Sequence, residues 1–332
     1  MANVLLTERC VRNCPYCFAR EHMDDSALTE LSWDNLIYIA DFLEISKEHK
    51  ISLLGGEPTL HSHFVDFTTY LLERNFHVNV FTSGIMSKEK LKDLTLYLSK
   101  IPPERLSFTC NMNHPKLSTE KEIDQIHEFL KAFASFTTLG YNIYQTDLDL
   151  EFLVQYINKY KLRRHIRFGL AHPIQGGKNT YIPASELGIM AKKLVAYCGL
   201  FEQNNVAPGF DCGMPMCIFS EEELGKLSKA NKGVLKFGCG PAIDTGPDMM
   251  VWSCFPLSGL HKKSLYEFNS MQEIHDYFKN IHNKVKAEIG GIFEKCVTCV
   301  YLTNEACMGG CIAHSINQLK DEQMNRIKAI YS

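Results

Sequence analysis

Short apolar runs alternate with longer amphipathic ones through the first half of the chain. Val4–Thr7 reads as a strand. After a cysteine-bearing loop, Leu36, Ile39, Ala40 and Leu43 recur at helical spacing, which predicts a helix over about 32–47 with Ser32 as its N-cap. The alternation continues with strands at Ile51–Leu54, Val78–Thr82 and Leu106–Cys110, and helices over 63–75 and 88–99. A long helix over 119–136 is carried by Ile123, Ile126, Phe129, Leu130 and Phe133. Asn142–Gln145 and Ile166–Leu170 supply strands five and six, with a helix over about 150–160 between them. Six strand–helix units in succession predict a parallel sheet, because each helix serves as a crossover. Right-handed crossovers curl such a sheet into a barrel or part of one, with reactive groups at the carboxyl ends of the strands.

Past Leu170 the pattern changes. Residues 184–203 read as one more helix, and from Pro208 onward the chain is dense in Cys, Gly and Pro with few periodic runs. The expected architecture is α/β. A partial (β/α)6 TIM-type barrel spans residues 1–205, followed by a small Cys-rich domain over 206–332. A segment so poor in core pattern needs staples, and metal clusters would serve.

Composition narrows the compartment. The 332 residues are 45% hydrophobic and 22% charged, with a formal net charge of −3, which argues against a basic surface for nucleic acid or membrane. Residues 1–8 have no basic n-region, and no segment reaches the length of a membrane span, so a cytoplasmic protein is expected. Thirteen cysteines in a reducing compartment point to metal rather than disulfides.

Cys10, Cys14 and Cys17 stand at C-x3-C-x2-C spacing. A [4Fe–4S] cluster ordinarily takes four thiolates, so three leave one iron open for chemistry. A zinc knuckle is the rival reading, but the nearby His22 lies outside the usual zinc spacings. Gly55-Gly56-Glu57-Pro58 follows strand two directly. Its glycines permit close backbone approach, and its carbonyls and the Glu57 carboxylate accept from an ammonium group. In a barrel both motifs fall on one rim.

Together these motifs resemble the radical S-adenosylmethionine (radical SAM) enzymes over roughly the first two-thirds of the chain. The resemblance implies that Cys10, Cys14 and Cys17 hold the catalytic cluster, whose open iron takes the amino and carboxylate groups of SAM. It implies a place for Tyr16 near the adenine, and for Gly55, Gly56, Glu57 and Pro58 around the methionine amino group. Thr82 and Ser83, in Thr82-Ser83-Gly84 at the end of strand three, would help hold the ribose or carboxylate. One-electron reduction, from a low-potential carrier such as flavodoxin or ferredoxin, would cleave SAM to a 5′-deoxyadenosyl radical that abstracts hydrogen from substrate. Asp147, Asp149, Arg167, His172 and Lys178 are rim candidates for SAM or substrate contacts.

The last third adds Cys212, Cys217, Cys239, Cys254, Cys296, Cys299, Cys307 and Cys311, the number that two fully ligated clusters need. Cys239-x14-Cys254, then Cys296-x2-Cys299-x7-Cys307-x3-Cys311, is similar to the SPASM auxiliary-cluster extension. Three features depart from it: Met249 stands where Gly is usual, the Cys299–Cys307 gap is two residues longer than the common spacing, and no cysteine follows Cys311. By analogy Cys239, Cys254 and Cys311 share one cluster with Cys217 or Cys212. Cys296, Cys299 and Cys307 hold the other, completed by the remaining thiol or left open. A zinc ribbon from Cys296, Cys299, Cys307 and Cys311 is the competing reading. Cys198 falls at helical spacing with core residues. Cys110, ending strand four, is either a packing thiol or a hydrogen donor to a substrate radical.

Relatives with this extension mostly modify peptides or proteins, so the first expectation is maturation of a ribosomally made peptide by crosslinking, oxidation or epimerisation. A small metabolite is the second substrate class, and a metal-stabilised binding or electron-carrier protein is the non-enzymatic alternative. Because the cysteine triplet begins at residue 10, leader recognition is expected to fall to a separate protein or to the auxiliary region.

Overall fold

In the computed structural model, residues 2–19, 29–211 and 213–331 are described. Seven parallel strands run in sequence order: β1 (Ala2–Leu5), β2 (Lys50–Leu54), β3 (His77–Thr82), β4 (Leu106–Met112), β5 (Thr137–Ile143), β6 (His165–Leu170) and β7 (Ala207–Phe210). Beyond β1, β8 (Asp244–Thr245) pairs parallel to it, and β9 (Met250–Trp252) and β10 (Lys263–Ser264) continue antiparallel. The order β10-β9-β8-β1 through β7 is an open sheet; the barrel is partial and does not close.

The helices cover one face. Ser32 caps helix Trp33–Ile45 by accepting from the Asn35 N–H, and Thr119 and Glu122 form a reciprocal capping box on helix Glu120–Ala132. Alternate strand residues such as Phe108, Leu139 and Phe168 are buried, and Phe108 packs at 5.3 Å on Phe129 and 4.8 Å on Phe133 of the helix layer. The intervening positions put polar side chains on the other face. There Asn79 Oδ1 accepts from the hydroxyls of Ser107 at 3.0 Å and Thr109 at 3.3 Å. Period-two alternation thus separates a greasy, helix-covered face from a polar one.

Three element expectations change. Strand five runs from Thr137, not from Asn142, and the long helix stops at Ala132 before a 3-10 turn over Ala134–Phe136. Gly140 interrupts the alternation that would have revealed the strand. Its place is steric, since a Cβ there would stand 2.4 Å from the Asn111 side-chain oxygen. The helix expected over 184–203 is a 3-10 turn (Ala184–Glu186) and two helices, Leu187–Ala196 and Cys198–Gln203. The break falls at Tyr197, whose hydroxyl donates to the Leu148 carbonyl at 2.9 Å. The boundary drawn at 205 lies just before β7, which pairs with β6. The last third also holds more periodic structure than its composition implies. Helix Met271–Ile289 buries Ile274, Phe278, Ile281, His282 and Val285. Met249 takes φ 64° in a turn where its N–H donates to Gly246 at 3.0 Å, so the side chain that replaces glycine carries a left-handed backbone. The cost of that conformation is about 1–2 kcal/mol. Among the described residues no helix is long and apolar enough to cross a membrane.

Candidate active site and cysteine centres

The cysteine loop leaves β1 and is bonded to the turn after β2. Leu6 N–H donates to Leu54, Gly56 N–H to Thr7 at 2.8 Å, and Glu57 N–H to Arg9 at 2.7 Å. Both glycines are dictated by this contact. A Cβ on Gly55 would stand 2.4 Å from the Thr7 carbonyl oxygen; one on Gly56 would stand 2.2 Å from the Arg9 carbonyl oxygen and 2.9 Å from the Cys10 Cβ. Two backbones touch here, which only glycine allows.

Cys10, Cys14 and Cys17 are each half-buried at the carboxyl end of the sheet. Arg12 N–H donates to Cys10 Sγ at 3.4 Å, and the Asn113 amide donates to Cys14 Sγ at 3.6 Å. Burial raises the Cys10 thiol pKa, with the nearby Glu57 and Cys14 adding to the effect. Hydrogen bonds to sulfur favour the thiolate that a metal requires, so these donors suit an iron–sulfur cluster.

Tyr16 is buried, with its ring 4.8 Å from Tyr144, and its hydroxyl donates to Asn113 Oδ1 at 2.6 Å. Burial lifts its pKa well above the usual phenol value. The loop is tied to the segment after β6 as well: Thr180 N–H donates to Pro15 at 2.8 Å, and the Asn179 amide donates to Tyr16 at 3.3 Å.

Glu57 is almost wholly buried, and its carboxylate is saturated by the protein. Oε1 accepts from Thr82 Oγ1 at 2.7 Å, Thr59 Oγ1 at 2.8 Å and Thr59 N–H at 3.3 Å. Oε2 accepts from Ser83 Oγ at 2.6 Å and Ser83 N–H at 2.7 Å. Five donors meet about four lone-pair sites. Glu57, Thr82 and Ser83 are therefore one clamp between the ends of β2 and β3, and Pro58 opens the buried 3-10 turn beside it.

Cys110 is fully enclosed on the helix-facing side of β4, in phase with Phe108 and Met112. A Cβ on Gly84 would lie 3.1 Å from its sulfur and 3.2 Å from the Phe129 ring. Burial pushes its thiol up to about 12. This position corrects the hydrogen-donor expectation: strand parity turns the thiol into the core rather than toward the polar face. Cys198 is likewise buried in the core.

Arg167 does face the polar side, but it is engaged, in an ion pair with Asp211 and with its guanidinium 4.7 Å over the Phe81 ring. Asp149 pairs with His114 at 3.0 Å and Asp147 with Lys193 at 3.6 Å; both carboxylates line a cavity of about 180 Å3 with Tyr144 and Lys116. His172 is buried where a Cβ on Gly213 would come within 2.2 Å of its Nε2, and Lys178 is exposed.

Sequence reasoning missed Arg12, Asn111 and Asn113. Arg12 Nη1 donates to the Asn111 carbonyl at 2.8 Å, while its Nη2 and the Asn111 side-chain oxygen are buried without partners among the described residues. Arg12 stands within the cysteine loop but outside its motif, and only the fold brings Asn111 and Asn113 to that loop.

The downstream cysteines separate into two neighbourhoods. A hydrogen bond with Cys311 lowers the Cys239 thiol pKa, while burial, with Cys254, Cys239 and Cys311 adding to it, raises that of the Tyr331 hydroxyl. Burial raises the thiol pKa of Cys217 and of Cys296, and the nearby Cys307 adds to both. Cys212 lies outside the described residues. Among the described residues no three Cys, His, Asp or Glu side chains converge as a single metal ion requires.

Residues 4–142 match the Radical SAM superfamily and form a radical SAM domain. Proteins of that family use a [4Fe–4S] cluster and SAM. A tungsten-containing aldehyde ferredoxin oxidoreductase cofactor-modifying protein of Pyrococcus furiosus is 33% identical over 92 residues, 27% of this chain and 25% of that protein. A 7,8-dihydro-6-hydroxymethylpterin dimethyltransferase of Methanocaldococcus jannaschii is 34% identical over 110 residues, 32% of this chain and 21% of that protein. Each match spans a quarter or less of the curated relative's length. Among solved structures, SuiB of Streptococcus suis bound to S-adenosylmethionine shares the fold with TM-score 0.64 at 14% identity, covering 97% of this chain and 75% of that one.

Proposed function

We propose that this protein is a radical SAM enzyme acting on a peptide, with Cys10, Cys14 and Cys17 holding the catalytic cluster. The observation that carries the reading is the docking of a three-thiol loop on Gly55–Gly56 at the carboxyl rim of a parallel sheet, beside a polar face. When bound, the cluster and SAM supply the one-electron chemistry that generates a 5′-deoxyadenosyl radical.

The chain's own residues prepare the place. The N–H of Arg12 and the amide of Asn113 stabilise the thiolates of Cys10 and Cys14. Tyr16 orients Asn113 through its hydroxyl and offers an aromatic surface with Tyr144 for a purine. Because the Glu57 oxygens are occupied, the backbone carbonyls of Gly55 and Gly56 take the ammonium group of SAM, while Glu57 fixes their position through Thr82 and Ser83. Arg12 Nη2 offers a donor to a carboxylate on the same rim. Residues 1–205 supply this rim, and residues 206–332 carry the additional cysteines.

A peptide substrate is supported by the likeness to SuiB across 97% of the chain, including the form of SuiB solved with precursor peptide SuiA, at TM-score 0.63. A small-metabolite substrate is the second reading, favoured by the local similarity to the pterin dimethyltransferase. Anaerobically reconstituted protein given SAM, dithionite and peptides encoded beside its gene is expected to release 5′-deoxyadenosine and change the mass of one peptide. Release of 5′-deoxyadenosine with every peptide mass unchanged would move the assignment to a metabolite. Iron-loaded protein that leaves SAM intact would overturn the enzyme reading in favour of an electron carrier.

A further inference from the structure

Between the segments that follow β4 and β5 lies the cavity of about 180 Å3 that no residue of the cysteine loop lines. Tyr141, Tyr144 and Leu117 supply its apolar wall, and His114, Asp147 and Asp149 its polar one. Tyr144 is the wall it shares with the reactive rim, since the same ring lies 4.8 Å from Tyr16. Sites for whole small-molecule ligands run to roughly 300–1,000 Å3, so a cavity of this size suits one side chain of a larger ligand.

Two features of the lining point to a missing occupant. Strand parity puts Tyr141 in phase with Leu139 and Ile143, its ring centred 6.0 Å from Phe152 and 6.5 Å from Phe168, and the residue is only 4% exposed. Its hydroxyl nevertheless has no hydrogen-bond partner among the described residues, nor has that of the buried Tyr144. Phenols enclosed to this degree ordinarily find a partner. Burial, with Tyr144, Asp149 and Tyr197 adding to it, lifts the Tyr141 pKa to about 12, so its hydroxyl keeps its proton at neutral pH. The second feature is carboxylate charge left unneutralised. The Lys116 N–H donates to His114 Nδ1 at 3.1 Å, which leaves the proton of a neutral imidazole on Nε2, donating to Asp149 Oδ2 at 3.0 Å. Asp149 is thereby oriented and keeps its charge, and its Oδ1 accepts from no described residue. Asp147 has a side chain 95% exposed, and its ion partner Lys193 stands at 3.6 Å, beyond a hydrogen bond. Within the lining, two carboxylates face one ammonium, that of the exposed Lys116.

We infer that this cavity is a subsite for one basic side chain of the substrate, a lysine or an arginine, an inference that rests on the peptide reading above. The aliphatic stem lies along Tyr141, Tyr144 and Leu117, and the charged head donates to Asp149 Oδ1, Asp147 and the phenol oxygens. Lys116 meets a carbonyl of the peptide backbone. A basic residue anchored behind Tyr144 sets its neighbours in the peptide on the rim beside the Cys10–Cys17 centre, and so selects which of them is presented for reaction.

Titration calorimetry on the anaerobically reconstituted full chain tests this without turnover. The probes are blocked glycine pentapeptides with lysine, norleucine or glutamate at the centre, and n-butylammonium as head and stem without a peptide. The lysine peptide is expected to bind about tenfold more tightly than the norleucine peptide, the worth of one hydrogen bond to a charged group, and the glutamate peptide most weakly. Asp149→Asn should reduce that preference. Asp147→Asn should do the same, and its exposed position means that it melts with the wild type. Tyr141→Phe should weaken binding of the lysine peptide alone. Equal binding of the lysine and norleucine peptides, or a preference unchanged in both aspartate variants, would overturn the assignment. Butylammonium binding as tightly as the lysine peptide would overturn it in favour of a free amine. Failure of the peptide reading shows separately, as unchanged peptide masses in the SAM assay with the binding preference intact.

Discussion

Replacing Glu57 with glutamine tests whether this residue is a clamp or a ligand contact. The carboxylate accepts from five protein donors at 2.6–3.3 Å, two of them backbone N–H groups that cannot reverse their polarity. Glutamine keeps one acceptor oxygen and presents an NH2 group to the other side. Its lowest-cost orientation leaves the oxygen on Ser83 and turns the amide toward Thr59 and Thr82, whose hydroxyls can rotate to accept. The Thr59 N–H is then stranded in a buried site, at about 1–3 kcal/mol, and the remaining bonds lose their charge assistance. A total near 3 kcal/mol is expected, which for a chain of this length corresponds to a fall in melting midpoint of roughly 5 °C. The assay is thermal unfolding of the anaerobically reconstituted protein, beside SAM affinity measured by titration calorimetry. Stability and affinity should fall together, because the clamp positions Gly55 and Gly56. If Glu57→Gln melts with the wild type and loses only SAM affinity, Glu57 acts on the ligand directly and the clamp argument fails.

Gly56→Ala should displace the loop at Arg9 and Cys10, since its Cβ would overlap a carbonyl at 2.2 Å; the expected cost is about 1–3 kcal/mol, with iron content at the Cys10–Cys17 centre falling as measured by EPR. Cys110→Ala is expected to lower stability by about 1 kcal/mol while leaving product distribution unchanged in the SAM assay, because the thiol faces the helix layer. Burial raises the Asp244 carboxyl to about 7, against a hydrogen bond from Asn3 that favours the ionised form. The folded state then binds the proton more tightly than the unfolded state, so this group's contribution is fully present below about pH 4 and is lost as pH rises through 7. Asp244→Asn should remove that decline, which melting midpoints measured from pH 4 to 8 would show as a flatter profile.

Much of the fold was legible because burial imposes periodicity. Helices that must cover a sheet repeat their apolar residues on one face, and a parallel strand follows each crossover. Where a second constraint overrode that pattern, the reading slipped. Gly140 hid the start of β5 because the neighbouring strand's Asn111 needs the space. The short strands β8 to β10 carry too few residues to show a period at all.

The three thiols at residues 10, 14 and 17 are a statement of local spacing, and the sequence determined by itself that they share one loop after a strand. It also determined that glycines and a glutamate follow β2. What those residues touch was decided by tertiary structure. The glycines admit the backbone of Thr7 and Arg9, Glu57 spends its acceptors on Thr59, Thr82 and Ser83, and strand parity turns Cys110 away from the polar face. The Met216 N–H reaches Cys307 Sγ across 91 residues by a path no spacing rule encodes. Spacing fixes which groups can meet within one turn or loop, and only packing brings distant segments close enough for their atoms to choose partners.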